Sequence, residues 1–469
     1  TADEPELVLR LLEPDDDVDA IEALWRLEVC LRPEGEAPQP VPMKTIDPNL
    51  MRIAVRKLGE ALNAYPRLRD VPTDPHSLDL LLPTPVVTDL VAHGAHVLRN
   101  NGIGLLLPRA WTVATPSLRL RVSTPATPGA TQSAVGMNEL VSYNWELAVG
   151  DTVLTQDEML RLAKAKGDLV RLRGRWIQAD HTALANAARY VALHSADDAT
   201  LGDLLGTFTD AHPPPIPVDE VTTTGWIDTL LKENSAPAEV AVPERLDADL
   251  RPYQRRGLDW LAYMSRLGLG AVLADDMGLG KTVQVLALLA YESAAKPTLL
   301  IAPMSVVGNW QREAAKFVPD LRVLVHHGAG RLTGEALRAA VASTDLVVTT
   351  YALLARDVDQ LSEIAWERVV LDEAQHIKNA NTAQSRAART IPARHRLALT
   401  GTPVENRLEE LRSILDFANR NMLGKPATFR ARFAVPIERD HDKAAAARLR
   451  TVTGPFVLRR VKTDPNVIA

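Results

Sequence analysis

The chain has 469 residues, 46% hydrophobic and 24% charged, with a formal net charge of −6, a globular composition with room for about three domains at roughly 150 residues each. No run approaches the ~18 uninterrupted apolar residues of a membrane span, and the opening TADEPELVLR has neither a basic start nor an apolar signal core. The single cysteine, Cys30, excludes internal disulfides and zinc ribbons, so a cytoplasmic chain with Cys30 in a core is expected.

In chain order, Ala23 to Arg32 alternates apolar Trp25, Leu27, Val29 and Leu31 with polar neighbours, the period of a half-buried strand. Met51 to Tyr65 carries Ile53, Ala54, Leu58, Ala61 and Leu62 at helical spacing, and Val86 to Leu98 is similar. Residues 1–122 are therefore expected to form an α+β domain. The stretch Ser123 to Gly136, rich in Pro, Gly, Ser and Thr, reads as a loop. Beyond it come a strand over Leu140 to Val149, a helix over Gln156 to Lys166, a hairpin over Leu169 to Gln178 around Gly174, and helices over Thr182 to His194 and Leu201 to Leu205. These define a small accessory α+β domain over 137–212. The run Pro213-Pro214-Pro215 favours an extended spacer, and 213–248 is expected to be a linker.

From Arg251 short apolar runs alternate with helix-length segments, the pattern of parallel strands joined by crossover helices. Strands are expected at Gly270 to Ala274, Thr298 to Ala302, Arg322 to His326, Leu346 to Thr350, Arg368 to Leu371 and Arg396 to Leu399. The fold class is thus α/β, a doubly wound parallel sheet preceded by mixed α+β domains, with ligands expected at the carboxyl ends of the strands. Charge divides the same way: residues 1–250 hold 22 Lys and Arg against 37 Asp and Glu, whereas residues 251–469 hold 31 against 22. Nucleic-acid contact is expected in the basic half.

Three strand ends carry chemistry. Asp275 to Thr282, DDMGLGKT, follows an apolar strand and opens a helix, so backbone N–H groups and a helix N-terminus converge on one point, where an anion belongs. In a phosphate loop Lys281 reaches the β and γ phosphates and the Thr282 hydroxyl ligates magnesium. Asp275 stands where the usual pattern has glycine, and taken alone the segment also fits a plain glycine turn before a helix. In VVLDEAQH, Asp372 suits magnesium and Glu373 suits the positioning of an attacking water, a pairing that the lysine loop favours over a solvated acidic turn. In LALTGTPVEN, Thr400 and Thr402 are placed to bond the carboxylate motif and report nucleotide state. Gln254 in RPYQ offers a donor and an acceptor to an adenine edge, although a plain surface glutamine is the commoner meaning of any single Gln.

The series LRPYQRRGLDWL, LADDMGLGKT, LIAPMSVVGNW, VVTTY, VVLDEAQHIKN and LALTGTPVEN, closing with PFVLRRVKTD, resembles the ordered motifs of the SWI/SNF-type ATPases of helicase superfamily 2 in their bacterial form. It covers 249–464, and the family shares the Asp275 departure; residues 137–190 more weakly resemble the accessory domain that precedes the motor in bacterial members. The resemblance implies a first RecA-like lobe over 249–464 of a double-stranded DNA translocase using ATP and Mg2+. It places nucleotide on Gln254, Asp275, Met277, Gly278, Leu279, Gly280, Lys281 and Thr282, magnesium on Thr282 and Asp372, and hydrolysis on Lys281, Asp372 and Glu373. Coupling falls to Gln375, His376, Thr400 and Thr402. DNA contacts are implied for Pro303, Ser305, Asn309, Trp310, Thr349, Thr350 and Lys378, with Trp310 fitting a core position equally well. Phosphate contacts imply little sequence preference. In the family a second lobe with an arginine finger follows residue 464, and such a finger is worth about 10³ to 10⁵ in turnover, so these 469 residues are expected to bind ATP and hydrolyse it slowly. The acidic N-terminal region is expected to dock a protein partner or cover the basic lobe, and no membrane is involved. A nucleotide-switched binding module without translocation is the alternative, and a nucleoid-associated motor the leading expectation.

Overall fold

The alternation at Ala23 to Arg32 becomes the strand Leu24–Arg32, whose inward residues Trp25, Leu27 and Val29 are fully buried. The computed structural model describes every residue except 1–3, 15–22, 43, 45, 110, 126–135, 165–166, 195, 210–213, 233–235, 403–406 and 469. Most of the loop expected over Ser123 to Gly136, with Lys166, Pro213 and the end of LALTGTPVEN, lies outside the described residues. Two compact units result: one takes 1–120, 145–195 and 214–221, the other 121–144, 196–213 and 222–469.

In the first unit Leu24–Arg32 pairs antiparallel with Glu6–Leu12, which pairs in parallel with Gly104–Leu106. The helix Pro48–Ala64 begins where Asp47 accepts a hydrogen bond from Asn49 N, with proline in the first turn, and it packs Ala54, Leu58 and Ala61 into the core. Trp25 meets Trp111 and Trp176 edge to face at 5.6 and 4.5 Å, contacts worth about 0.5–1.5 kcal/mol each beyond their buried area. The hairpin expected around Gly174 forms from Leu169–Leu172 and Arg175–Gln178, with Arg173 and Gly174 both at positive φ, as a two-residue turn requires. Further strands are Pro116–Ser123, Leu140–Val149, Ala196–Thr200 and Val218–Thr224.

The compact units do not follow the expected boundaries. Residues 137–212 divide between them because the strand Leu140–Val149 runs through the point of division. The expected linker 213–248 contains the strand Val218–Thr224 and the helix Trp226–Leu231. That strand is polar and exposed on both faces, so it carries no alternation to read. Trp226 of the helix is buried, and its carbonyl accepts from Tyr263 Oη at 2.7 Å.

The second unit holds a seven-stranded sheet in the order Val323–Val325, Leu346–Thr350, Thr298–Ala302, Trp366–Leu371, Ala393–Leu399, Ala271–Leu273 and Val457–Leu458. Every pairing in it is parallel. Thr298–Ala302 and Leu346–Thr350 are buried throughout, as strands covered by helices on both faces must be. The six expected strands are present, and Val457–Leu458 is a seventh that its two-residue length concealed. Because the first strand lies between the sixth and the seventh, the ends of Trp366–Leu371, Ala393–Leu399, Ala271–Leu273 and Val457–Leu458 are contiguous. Among the described residues no helix is long and apolar enough to cross a membrane.

Arg368 lies fully buried inside a strand, where partners on two of its three guanidinium nitrogens offset the cost, while Nη1 has no hydrogen-bond partner among the described residues. Nε donates to His395 Nδ1 at 2.7 Å, and Nη2 donates to Ser265 Oγ at 2.8 Å and Glu292 Oε2 at 2.7 Å. His395 therefore carries its proton on Nε2, which donates to the Leu269 carbonyl at 2.9 Å. Burial, with Arg368 and Arg394 adding repulsion, holds the His395 pKa well below 6.5. The unfolded state alone takes up this proton, so stability is full above about 6.5 and falls as pH drops, by about 1.4 kcal/mol per pH unit until the folded pKa is reached. Urea midpoints at pH 7.5, 6.5 and 5.5 should show this loss, and a His395→Gln variant should show less of it.

Candidate active site

The phosphate loop follows Ala271–Leu273. Gly278 and Gly280 take left-handed φ values of 84° and 83°, which turn successive N–H groups to one side and start the helix Lys281–Glu292. The φ of 83° favours glycine at position 280, and a Cβ there would also displace the Gln254 amide, lying 2.4 Å from its Nε2. The Leu279 carbonyl is held by Tyr253 Oη at 2.6 Å and Gln254 Nε2 at 3.1 Å. Gln254 Oε1 accepts from Arg251 N at 2.9 Å, which leaves one lone pair for a base edge. Met277 and Gly278 are exposed, Leu279 is buried, and Thr282 is half-buried at the start of the helix.

Lys281 Nζ donates to the Asp275 carbonyl at 2.7 Å. Burial lowers its pKa, and the charges of Asp275, Glu373, Asp372 and Asp276 oppose that shift. Asp372 and Glu373 follow the strand Trp366–Leu371; Asp372 N donates to the Ile301 carbonyl at 2.8 Å, and Tyr351 Oη donates to the Asp372 carbonyl at 2.6 Å. Burial raises the Asp372 pKa, and the neighbouring Glu373 charge adds to it against the hydrogen bond from Trp310. Glu373 has φ 50°, a left-handed conformation that costs a non-glycine residue on the order of 1–3 kcal/mol.

From Glu373 a chain of hydrogen bonds crosses to the next strand. Gln375 Nε2 donates to Glu373 Oε2 at 2.5 Å, Thr400 Oγ1 donates to Gln375 Oε1 at 3.1 Å, and Thr402 N donates to Thr400 Oγ1 at 3.2 Å. His376 stacks on Tyr351 at 4.7 Å, and its Nδ1 lies 2.9 Å from the Glu373 carbonyl. The four residues expected to couple the site are therefore all within the carboxylate motif's hydrogen-bonded surroundings.

Several expected ligand contacts are corrected. Trp310 is 1% exposed and its Nε1 donates to Asp372 Oδ2 at 2.8 Å, so it occupies the core and orients the carboxylate instead of meeting DNA. Thr349 is fully buried with Oγ1 donating to the His326 carbonyl at 2.9 Å, and Thr350 caps the helix Tyr351–Arg356 by accepting from Leu353 N. Neither threonine is at the surface, because both still belong to a central strand. The Asp275 side chain is likewise fully buried, and its carboxylate is bonded to Arg460. Ser305 is exposed and Asn309 half-buried on the helix Met304–Phe317, Pro303 is half-buried at that helix's N-cap, and Lys378 is exposed just after the helical turn Ala374–Ile377. Residues that the sequence reading passed over include Tyr253, Tyr351 and Arg460, although each lies within or beside a quoted motif.

The donor set fits magnesium. Two adjacent half-buried carboxylates and a threonine hydroxyl at the loop's helix are hard oxygen ligands of the kind Mg2+ takes alongside substrate phosphates. Asp372 and Thr282 would hold the ion, which would supply charge neutralisation between the phosphate oxygens. Trp310→Phe keeps most of the buried ring but loses the hydrogen bond to Asp372. A bond of about 1 kcal/mol predicts a rise of roughly fivefold in the Mg2+ concentration for half-maximal ATP hydrolysis, read by magnesium titration.

A left-handed glycine loop ending in Lys281, with paired carboxylates two strands away across one parallel sheet, defines a P-loop nucleoside-triphosphatase lobe. Residues 253–466 match the SNF2-related domain, and residues 75–208 match a family described as SNF2 Helicase protein. The chain belongs to the SNF2-type ATPases. YwqA of Bacillus subtilis (strain 168), an ATP-dependent helicase/translocase by name, is 36% identical over 404 residues, 80% of this chain and 43% of that protein. The ISWI chromatin-remodeling complex ATPase ISW2 of Saccharomyces cerevisiae is 37% identical over 221 residues, 46% of this chain and 20% of that protein. A solved structure of the Sulfolobus solfataricus SWI2/SNF2 ATPase core in complex with dsDNA is 40% identical, with a TM-score of 0.46, and covers 49% of this chain and 48% of that chain. The chain thus spans less than half the length of the curated relatives it matches.

Proposed function

We propose that this chain supplies the nucleotide-binding lobe of an ATP-dependent motor that translocates on double-stranded DNA. The observation that carries the reading is the hydrogen-bonded path from Glu373 through Gln375 and Thr400 to Thr402, which joins the hydrolytic carboxylate to a neighbouring strand end. In this reading the loop amides and Lys281 bind the β and γ phosphates, and Gln254 meets the adenine edge. The Glu373 carboxylate orients the attacking water and takes its proton as the γ-phosphate is displaced in line. Ser305, Asn309 and Lys378 grip the phosphate backbone, with Pro303 shaping the turn, and sequence preference is slight. A nucleoid-associated site of action follows from the substrate.

The test is ATP hydrolysis by the protein containing this chain, with and without duplex DNA. Stimulation of tenfold or more, falling as salt rises, is expected. Hydrolysis indifferent to DNA, with ATP still bound, would favour the second reading, a nucleotide-switched binding module. The excess of 37 acidic over 22 basic residues in 1–250 suits that module's docking of a protein partner or a cover for the basic lobe. Because the second unit takes in 121–144 and 196–213, deleting residues 1–245 would damage that unit, and charge-neutralising substitutions within 1–120 are the cleaner probe.

A further inference from the structure

A carboxylate at the first position of a phosphate loop is an electrostatic liability. Asp275 is fully buried, one residue beyond Ala274 and six before Lys281, so its charge faces the same loop that must accept an anionic ligand. An unpaired carboxylate there would be costly to bury and would repel phosphate.

The seventh strand resolves this. Two residues past Val457–Leu458, Arg460 donates from Nε to Asp275 Oδ1 at 2.9 Å and from Nη2 to Asp275 Oδ2 at 2.6 Å, a two-pronged pair whose guanidinium is 10% exposed. Nη2 also donates to Gln284 Oε1 at 2.6 Å, while Gln284 Nε2 donates to Asp275 Oδ2 at 3.3 Å and to the Gly280 carbonyl at 3.1 Å. The guanidinium lies 5.2 Å from the Tyr253 ring centroid and also donates to the Tyr253 carbonyl. Space for this arrangement depends on Gly257, where a Cβ would sit 1.9 Å from Gln284 Oε1 and 2.9 Å from Arg460 Nη2. Backbone bonds keep the two segments in register, Ala274 N to the Leu458 carbonyl at 2.8 Å and Asp276 N to the Arg460 carbonyl at 3.0 Å, and the Asp276 side chain adds a third by accepting from Lys462 N at 3.0 Å.

We propose that Arg460 is a positioning residue of the nucleotide site: it cancels the charge of Asp275 and holds the first half of the phosphate loop, so that triphosphate affinity depends on the 457–462 segment staying docked. Arg460 touches no ligand and acts through Asp275, Gln284 and Tyr253. The inference rests on the ATP-binding reading above.

The test is calorimetric binding of ATP, ADP and AMP, with magnesium, to the chain and to Arg460→Met, Asp275→Asn and the double variant, each checked by thermal melting. Arg460→Met is expected to lose affinity for ATP by roughly 10- to 100-fold, as befits a buried pair broken on one side. The loss should shrink from ATP to ADP to AMP, and adding Asp275→Asn should restore ATP affinity to within about threefold of the parent, because the unpaired charge is gone. A double variant that is folded yet binds ATP as weakly as Arg460→Met, or equal losses for all three nucleotides, would show a mere brace and overturn the proposal. Should Arg460→Met fail to fold, the double variant carries the test alone: near-parental affinity supports the proposal and lost affinity overturns it. If the unaltered chain binds no ATP, the function reading itself falls, an outcome distinct from failure of the Arg460 role.

Discussion

Glu373→Gln is expected to retain ATP and to slow hydrolysis by about 10² to 10⁴-fold, the usual worth of a positioned general base. The substitution is nearly isosteric, and an amide oxygen still accepts from Gln375 Nε2, which stands 2.5 Å from Glu373 Oε2. What is lost is the negative charge and the capacity to take a proton from water. Glutamine meets the left-handed φ of 50° on the same terms as glutamate, so the backbone is expected to be the same in the variant. Single-turnover hydrolysis and equilibrium ATP binding, measured side by side, separate the two effects. Turnover at the parental rate would remove Glu373 from the chemistry.

Lys281→Ala is expected to reduce ATP affinity by roughly 10- to 100-fold, corresponding to the ~1.5–3 kcal/mol of hydrogen bonds to charged groups. Lys281 presently donates to the Asp275 carbonyl at 2.7 Å, a neutral acceptor that phosphate oxygens would replace with a charged one. Its pKa is lowered from 10.5 by burial, so the ammonium form present at neutral pH is lost at a lower alkalinity than for a free lysine. ATP affinity of the unaltered chain should accordingly decline as pH rises, beginning below 10.5, and the Lys281→Ala chain should lack that decline. Fluorescence titration with ATP across pH 7 to 10 reads both effects. An affinity unchanged by the substitution would place the phosphates elsewhere.

The strands of the nucleotide lobe and its loop were legible from the residues because apolar runs covered by helices on both faces are uninterrupted, as in Thr298–Ala302 and Leu346–Thr350. Glycines at 278 and 280 and the lysine after them, read together with the carboxylate strand end, mark the turn of a phosphate loop. The strand Val218–Thr224 and helix Trp226–Leu231 were not legible, since the first is polar on both faces and the second is only six residues long. The DNA expectation for Trp310, Thr349 and Thr350 failed on burial: a motif places a residue near the strand ends, but the direction of its side chain is set by the neighbours it packs against.

What the sequence by itself determined is the inventory and order of the site: a loop with Lys281, a strand ending in Asp372 and Glu373, and a strand ending in Thr400 and Thr402. Local pattern suffices for these because each lies within a few residues of its own strand. Only the tertiary structure decided which strand ends are neighbours, and hence that Trp310 bonds Asp372 and that Arg460 reaches Asp275 across 185 positions of chain. Such pairings depend on strand order in the sheet, and no periodicity along the chain records which distant residue will supply a buried charge with its partner.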